Sequence, residues 1–379
     1  MLLRCVECRE PFPLRLQYEC THCGGILETV GHDGVPAFAF GEGQTPLLRA
    51  RRIEALLPGF TGEIWLKDET RNPSGSFKDR LIAAGLGRAL AMGMKGVVCA
   101  SSGNAGAATA VYAARAGLPA IIIVPAHTPL GKVTQIAAHG AILLLVEGHY
   151  SRSYALAKAL AEEHGFANLT TTFINPYAVA GLTPVGTEIL AQLAGRVPSH
   201  VLIPTGSGPL VKGVAQGFAE AGVASRLVAV QAEGCAPIVR AFEDGAPHVI
   251  AWGQPDTIAS GISDPLIGYE RDGTYTLRLV RESGGLAVSV SDDELRTAMQ
   301  MLAQREGIFA EPTGASPIAA LFKLAESGAL AAGSSVVCLI TGHGFKDMRV
   351  YQEMPTTTHR VTDPTDIAAV ARLCETAMA

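Results

Sequence analysis

Short apolar runs of four to six residues recur along this chain, each ending in a turn of small residues that opens a helix-like stretch. Gly96-Val97-Val98-Cys99-Ala100 runs into Ser101-Ser102-Gly103-Asn104 and then an alanine-rich segment, Ala107–Ala116, with Gly117 placed to end it. Ala120–Val124 is followed by a helical pattern over Leu130–His139, and Ala141–Val146 by another over Ser153–His164. His200–Pro204 leads through Thr205-Gly206-Ser207-Gly208-Pro209-Leu210 into a helix reaching Ala221, and Arg226–Gln231 reads as the next strand. Ser335–Ile340 is a last buried strand, ending in Thr341-Gly342-His343-Gly344. Strands alternating with helices in this way require a mostly parallel sheet with helices on both faces. Asp292–Glu306 reads as an amphipathic helix capped by Ser291, whereas Asp244–Glu282, rich in Pro, Gly and Asp, reads as loops with one possible strand.

The 379 residues suffice for two or three domains, and the 42 glycines suit many tight strand-to-helix turns. A formal charge of −5 gives no general attraction to nucleic acid or to an anionic membrane. The apolar runs are too short to span a bilayer, and the start lacks a signal-peptide pattern, so a cytoplasmic protein is expected.

Four of the eight cysteines cluster as Cys5-x-x-Cys8 and Cys20-x-x-Cys23. Two such pairs supply the four thiolates of a tetrahedral zinc site, and a segment of thirty residues needs that metal to fold. A disulfide is the alternative, disfavoured in a reducing compartment. Cys99, Cys235 and Cys338 sit among apolar neighbours and are expected to be buried; Cys374 is a further scattered cysteine.

Asn72-Pro73-Ser74-Gly75-Ser76-Phe77-Lys78-Asp79-Arg80 joins a strand, Ile64–Leu66, to a helix. A lone lysine there, behind small residues that admit a ligand, is a candidate amine nucleophile. The Thr205–Gly208 turn offers successive backbone N–H groups at a helix start, suited to a phosphate. Asn104 adds a side-chain amide, and Thr341 a strand-end hydroxyl that needs a partner. Together these describe a site for pyridoxal phosphate: Lys78 for the Schiff base, Thr205, Gly206, Ser207, Gly208 and Leu210 for the phosphate, Asn104 for the ring oxygen and Thr341 for the pyridine nitrogen.

The chain resembles threonine synthases, members of the fold type II (tryptophan synthase β-like) pyridoxal phosphate enzymes. The motifs carrying the resemblance are Glu42-Gly43-Gln44-Thr45-Pro46-Leu47, the Asn72–Arg80 segment, Ser101–Asn104, Gln231–Pro237, Glu306–Pro312 and Thr341–Asp347. The N-terminal cysteines are similar to the ribbon of some threonine synthases. The resemblance implies two open α/β domains with the cofactor between them: residues 31–85 and 187–379 as a large cofactor-binding domain and 86–186 as a smaller one, after a ribbon at 1–30. It implies a homodimer, and conversion of O-phosphohomoserine and water to threonine and phosphate, with Lys78 moving protons at Cα and Cβ. Substrate contacts are implied for Ser76, Ser101, Ser102, Gly103 and Lys67.

Departures concern the substrate phosphate. Where threonine synthases continue Asn-Pro-Tyr with Arg and then Glu-Gly-Gln-Lys-Thr, this chain has Ala178 and then Ala180-Gly181-Leu182-Thr183-Pro184. Lys67, Arg71, Lys132 and Arg152 are the cations that could compensate. Elimination or replacement on another amino acid is therefore the alternative, with O-phosphoserine (as in cysteate synthases), serine or threonine as substrate. A non-catalytic binding protein on the same fold is a third reading, at odds with an intact Lys78.

Overall fold

The computed structural model describes the chain apart from residues 32–36, 127, 129, 148–149, 355–357, 359, 362–365 and 379. Part of the linker expected over 31–50 therefore lies outside the described residues, as do the side chains of Lys132 and Cys374.

The ribbon comes first: β1 (Leu2–Cys5), β2 (Pro11–Phe12) and β3 (Leu27–Val30) form an antiparallel sheet in the order β2-β1-β3. It buries Leu3, Phe12 and Leu27 against Tyr177 of the main body, a small cluster with little apolar area of its own. Next in the chain are β4 (Leu47–Arg49), β5 (Glu63–Asp68), β6 (Val97–Ala100), β7 (Ala120–Pro125), β8 (Ile142–Val146) and β9 (Ala167–Asn168). The last four are β10 (His200–Pro204), β11 (Arg226–Ala232), β12 (Leu286–Val290) and β13 (Ser335–Ile340).

Two sheets result. One has six strands in the order β12-β11-β10-β13-β5-β4, parallel except for the edge strand β4. The other is fully parallel, in the order β8-β7-β6-β9. Strands such as Val97-Val98-Cys99-Ala100 are buried along their whole length, because helices cover both faces. The expected α/β class is what the chain adopts. The boundaries drawn from sequence at 85/86 and 186/187 fall inside the helices Lys78–Ala91 and Thr183–Gln192.

Gly117 ends its helix in the left-handed region at φ 67°, and Ser291 and Glu294 form a reciprocal capping box. Cys99, Cys235 and Cys338 are fully buried, as expected. One expectation fails. The Asp244–Glu282 stretch ends in a three-turn helix, Glu270–Glu282, that buries Asp272, Gly273, Tyr275, Thr276, Leu277 and Val280. Its apolar residues do recur at helical spacing, but six of its thirteen residues are charged and it follows a stretch rich in Pro, Gly and Asp. β12 and the long buried helix Pro312–Glu326 also go beyond the elements expected.

Candidate active site

β5 and β13 are parallel neighbours, so the segments leaving their C-terminal ends emerge side by side. One carries Ser76 and Lys78; the other is Thr341-Gly342-His343. They are stitched together by Phe77 N–H to Thr341 O (3.0 Å) and His343 N–H to Gly75 O (2.9 Å). Gly75 takes φ +88°, which lets the loop turn back towards its helix.

Lys78 is the first residue of its helix and is half-buried. Burial pushes its ammonium down to about 8, against the opposing pull of Asp264 and Glu311. Its Nζ donates to Thr171 Oγ1 at 2.7 Å and lies 4.8 Å from the centre of the Phe77 ring. A lysine held near 8 carries a substantial neutral fraction at neutral pH, as a nucleophile or base requires.

Two hydroxyls beside it, Ser76 Oγ and Thr341 Oγ1, are buried to 0% and 1% exposure with no protein partner. Native proteins rarely leave such atoms orphaned unless a ligand meets them. Across the cleft Asn104, opening the helix Asn104–Ala116, donates Nδ2–H to Glu311 Oε1 at 2.7 Å. That acceptor fixes the amide orientation and leaves the second Nδ2 hydrogen to donate elsewhere. Glu311 itself accepts beside Gly342, where any side chain would overlap its carboxylate.

The Thr205–Gly208 turn follows β10 and starts the helix Pro209–Glu220. Thr205 is pinned by its own N–H to Val230 O (2.8 Å) and its Oγ1 to Ile203 O (2.7 Å). Gly208 sits at φ +111°, and a Cβ there would run into Thr276. The N–H groups of Gly206, Ser207 and Gly208 donate to no protein acceptor among the described residues. Three free N–H groups at a helix N-terminus form an anion cradle.

These residues fit pyridoxal phosphate by the chemistry of what they leave unpaired: three amides for a phosphate, an amide hydrogen for a ring oxygen and a neutral hydroxyl for a pyridine nitrogen. Ser101, Ser102 and Gly103 lie in the turn before Asn104, where Gly103 N–H donates to Ser101 Oγ at 3.2 Å.

Lys67 does not join them. It is fully buried, and its Nζ donates to Thr45 O (2.7 Å), Glu188 Oε2 (2.7 Å) and Gln192 Oε1 (3.0 Å). All three N–H bonds are spent in a structural charge cluster, so the substrate contact implied for Lys67 is withdrawn.

Residues with no assigned role in the sequence also matter here. Thr171 holds the lysine and belongs to a Thr170-Thr171-Thr172 run after β9, a signal of strand-end hydroxyls. Glu311 lies within a motif already singled out, immediately before a proline-opened buried helix. Asp264, from an irregular loop, approaches the Gly206 backbone and accepts from Tyr269 Oη at 2.6 Å; burial pushes its carboxyl up. Nothing in the sequence around Asp264 marks it.

At the other end of the chain, Cys5, Cys8, Cys20 and Cys23 place their sulfurs within 4.8 Å of one another. Three pairs stand 3.6 Å apart, close to the roughly 3.8 Å edge of a tetrahedron with Zn–S bonds of about 2.3 Å. Each pair closes with the same turn: Arg9 N–H to Cys5 O at φ 64°, and Gly24 N–H to Cys20 O at φ 68°. The set fits a closed, structural tetrathiolate site.

The fold and site define a class, the pyridoxal phosphate enzymes built on two parallel α/β sheets. Residues 38–342 match the family of pyridoxal-phosphate dependent enzymes, and the chain belongs to that family. A threonine synthase of Methanosarcina acetivorans is 34% identical over 91% of this chain and 92% of its own length. One of Methanocaldococcus jannaschii is 34% identical over 92% and 93%. Among solved structures, a threonine deaminase of T.th. superposes with a TM-score of 0.67 at 28% identity, covering 83% of this chain and 94% of that one. Maize serine racemase superposes with a TM-score of 0.68 at 23% identity over 89% and 94%, a likeness of fold. The chain is a threonine-synthase-like, pyridoxal-phosphate-dependent lyase.

Proposed function

We propose that the chain converts O-phosphohomoserine and water to threonine and phosphate. The observation that carries this reading is the likeness to threonine synthases along nine-tenths of the chain; Lys78, Asn104 and the Thr341–Gly342 turn grouped about Glu311, and Asp264 between Lys78 and the Gly206 turn, support it. Pyridoxal phosphate, when bound, withdraws electrons from the substrate's α-carbon and so makes its proton removable.

The protein's part is to hold groups and move protons. The Lys78 amine takes the proton from Cα and exchanges protons at Cβ, with Thr171 fixing its direction. Gly206, Ser207 and Gly208 anchor the cofactor phosphate, Asn104 donates to the ring oxygen, and Thr341 meets the pyridine nitrogen. The group that Thr341 would offer that nitrogen is a buried neutral hydroxyl and not a carboxylate. Ser76, Ser101, Ser102 and Gly103 line the substrate side.

The substrate phosphate needs a cation, and Lys346 is the one we assign. Its ammonium donates to the neutral Gln135 Oε1 at 2.6 Å and has no ion pair among the described residues. It packs against Gly75, three residues before the reactive lysine, and burial pushes it down. Arg71 is paired with Asp68 at 2.9 Å and Arg152 is exposed on Glu147 O, so neither is placed for the task.

One observation favours a second substrate. Ala178, where threonine synthases carry arginine, is 1% exposed and packed in the core with Leu81 and Leu182. A chain that dispenses with that arginine could act on O-phosphoserine, serine or threonine instead. A panel decides: threonine and phosphate formed together from O-phosphohomoserine support the first reading. Keto-acid from serine or threonine, or cysteate from O-phosphoserine and sulfite, with no turnover of O-phosphohomoserine, rejects it.

The same reading includes a structural zinc ion on Cys5, Cys8, Cys20 and Cys23, and a homodimer. Metal analysis and sedimentation of the purified protein check each.

A further inference from the structure

Asp264 stands between the reactive lysine and the turn that forms the anion cradle, and no step of the chemistry above uses it. A Cβ at Gly206 would lie 3.3 Å from the Asp264 Cβ and 3.6 Å from its Oδ2, so glycine is what lets the carboxyl come this close to the cradle.

The carboxyl is held in one orientation. Its Oδ1 accepts from Leu266 N–H at 3.1 Å and from Tyr269 Oη at 2.6 Å. Tyr269 is in turn stacked, at 5.5 Å and 13°, on Tyr154 of the helix Tyr150–His164, which packs on the other sheet. Leu266 is fully buried and sits at φ +59°, a left-handed backbone that leucine rarely adopts. That conformation accompanies the return of its N–H to Asp264 two residues earlier, and strain of this kind clusters at functional sites. The loop is fastened on both sides, by Gly261 N–H to Thr313 Oγ1 (3.0 Å) and Trp252 N–H to Pro265 O (2.8 Å). Oδ2 has no donor among the described residues.

This places a carboxyl beside a turn whose three N–H groups await an anion. Two anionic groups sharing a site do not both stay ionised. The titratable groups facing Asp264 are Lys78, Tyr269, Tyr154, Asp272 and Cys235, and Lys78 alone among them supplies positive charge. Burial already favours the neutral acid. With Oδ1 taken by two donors, a proton on the carboxyl belongs on Oδ2.

We infer that Asp264 is a further ligand of the cofactor phosphate, a neutral acid in the loaded protein whose Oδ2–H donates to a phosphate oxygen beside the three amides. The inference rests on the cofactor's seat in the cradle and is independent of which amino acid is turned over. Loading then draws a proton from solvent onto Asp264, and affinity for the phosphate falls as pH rises through the range where the free carboxyl ionises.

4′-Deoxypyridoxine 5′-phosphate carries the phosphate and no aldehyde, so it reads the cradle of the apoprotein without joining Lys78. Its binding is compared by dialysis in wild type, Asp264→Asn and Asp264→Ala. Asparagine keeps an acceptor for Leu266 and Tyr269 and an N–H for the phosphate, and has no proton to titrate. At about pH 6, wild type and Asp264→Asn should bind alike, and Asp264→Ala about tenfold more weakly, the loss of one donor. At about pH 8.5, wild type should fall about tenfold or more below Asp264→Asn. Lys78 titrates in all three proteins, so the ratios of affinities are what is read. Asp264→Ala binding as tightly as Asp264→Asn would make Asp264 a repelling bystander and overturn the inference. So would a ratio of wild type to Asp264→Asn that does not move with pH. Asp264→Leu, of similar size and without a donor, replaces Asp264→Ala if the latter does not fold. A wild type that never binds the probe would remove the cradle and the inference with it, a result distinct from the failure of Asp264 alone.

Discussion

A hydroxyl buried without a partner costs about 1–3 kcal/mol, and this chain carries two, on Ser76 and Thr341, within one loop pairing. The cost is offset only if a ligand completes them. Thr341→Val removes a group that the apoprotein leaves unsatisfied, so its melting temperature should hold or rise. The same change should weaken cofactor binding by about tenfold, the loss of one hydrogen bond. A matched fall in apoprotein stability would mean that Thr341 serves the fold instead. Lys78 makes a second test. Since burial holds its ammonium at about 8, the free amine increases as pH rises through that value. The rate at which apoprotein captures pyridoxal phosphate, followed by absorbance, should rise through about pH 8 and level off above it. A rise centred near 10.5, the ordinary lysine value, would show that the amine is not desolvated.

Among the structural elements, the cradle depends on one turn and the helix behind it. Gly208→Ala puts a Cβ into Thr276 from a left-handed backbone. We expect a loss of more than about 1–3 kcal/mol in unfolding free energy, with cofactor affinity falling alongside. Unchanged denaturant midpoints would refute the tight packing. Much of this architecture was legible in the sequence, because each strand is a short apolar run and each turn is marked by glycine, serine or asparagine. The Lys78, Asn104, Gly206–Gly208 and Thr341 turns could be named from those signals, and the convergence of the four N-terminal cysteines from their spacing alone. The helix Glu270–Glu282 does carry a helical spacing of apolar residues, but six charges among its thirteen residues make it read as loop, and Asp272 and Thr276 turn inward to hold two loops of the site. Lys67 misled for a related reason: a lysine at the end of a strand looks available until Glu188 and Gln192 arrive from a distant helix. Asp264 and the packing of Ala178 depend on tertiary neighbours that no local pattern encodes.

Across the molecule, one buried charge cluster ties distant segments together. Arg80 bonds Glu69 and Glu188 at 2.7 Å each, Lys67 bonds Glu188, and Gln44 N–H donates to Glu188 at 3.0 Å. Burial pushes the Glu188 carboxyl up, but Arg80 and Lys67 outweigh it and hold the group at about 2. Because the folded value lies below the ordinary 4.5, its contribution is complete above pH 4.5 and is lost as pH falls towards 2. Glu188→Ala leaves Lys67 without its carboxylate and Arg80 with one fewer, and should cost about 3–5 kcal/mol at neutral pH. Urea unfolding measures this, and a cost below 1 kcal/mol would contradict the role, a bound set by the surface-pair range of about 0–1 kcal/mol.

The ribbon has little apolar core of its own and is tied to the body by Tyr177, by Asn168 N–H to Tyr18 Oη (2.9 Å) and by Lys212 to Glu28 (3.0 Å). If zinc supports it as proposed, chelation or Cys5→Ser should release the metal and lower the melting temperature. A metal-free ribbon with unchanged melting would rule out zinc as its structural support.

That Lys78 carries pyridoxal phosphate underlies every other assignment, and the visible spectrum of the purified protein tests it without intermediaries. Wild-type protein supplied with the cofactor should show an absorbance band at about 410–430 nm, the signature of the cofactor joined to a lysine amine. The band should be absent from Lys78→Ala carrying the same cofactor. A band that persists in Lys78→Ala, or a wild type that never develops one, would mean that Lys78 does not hold the cofactor.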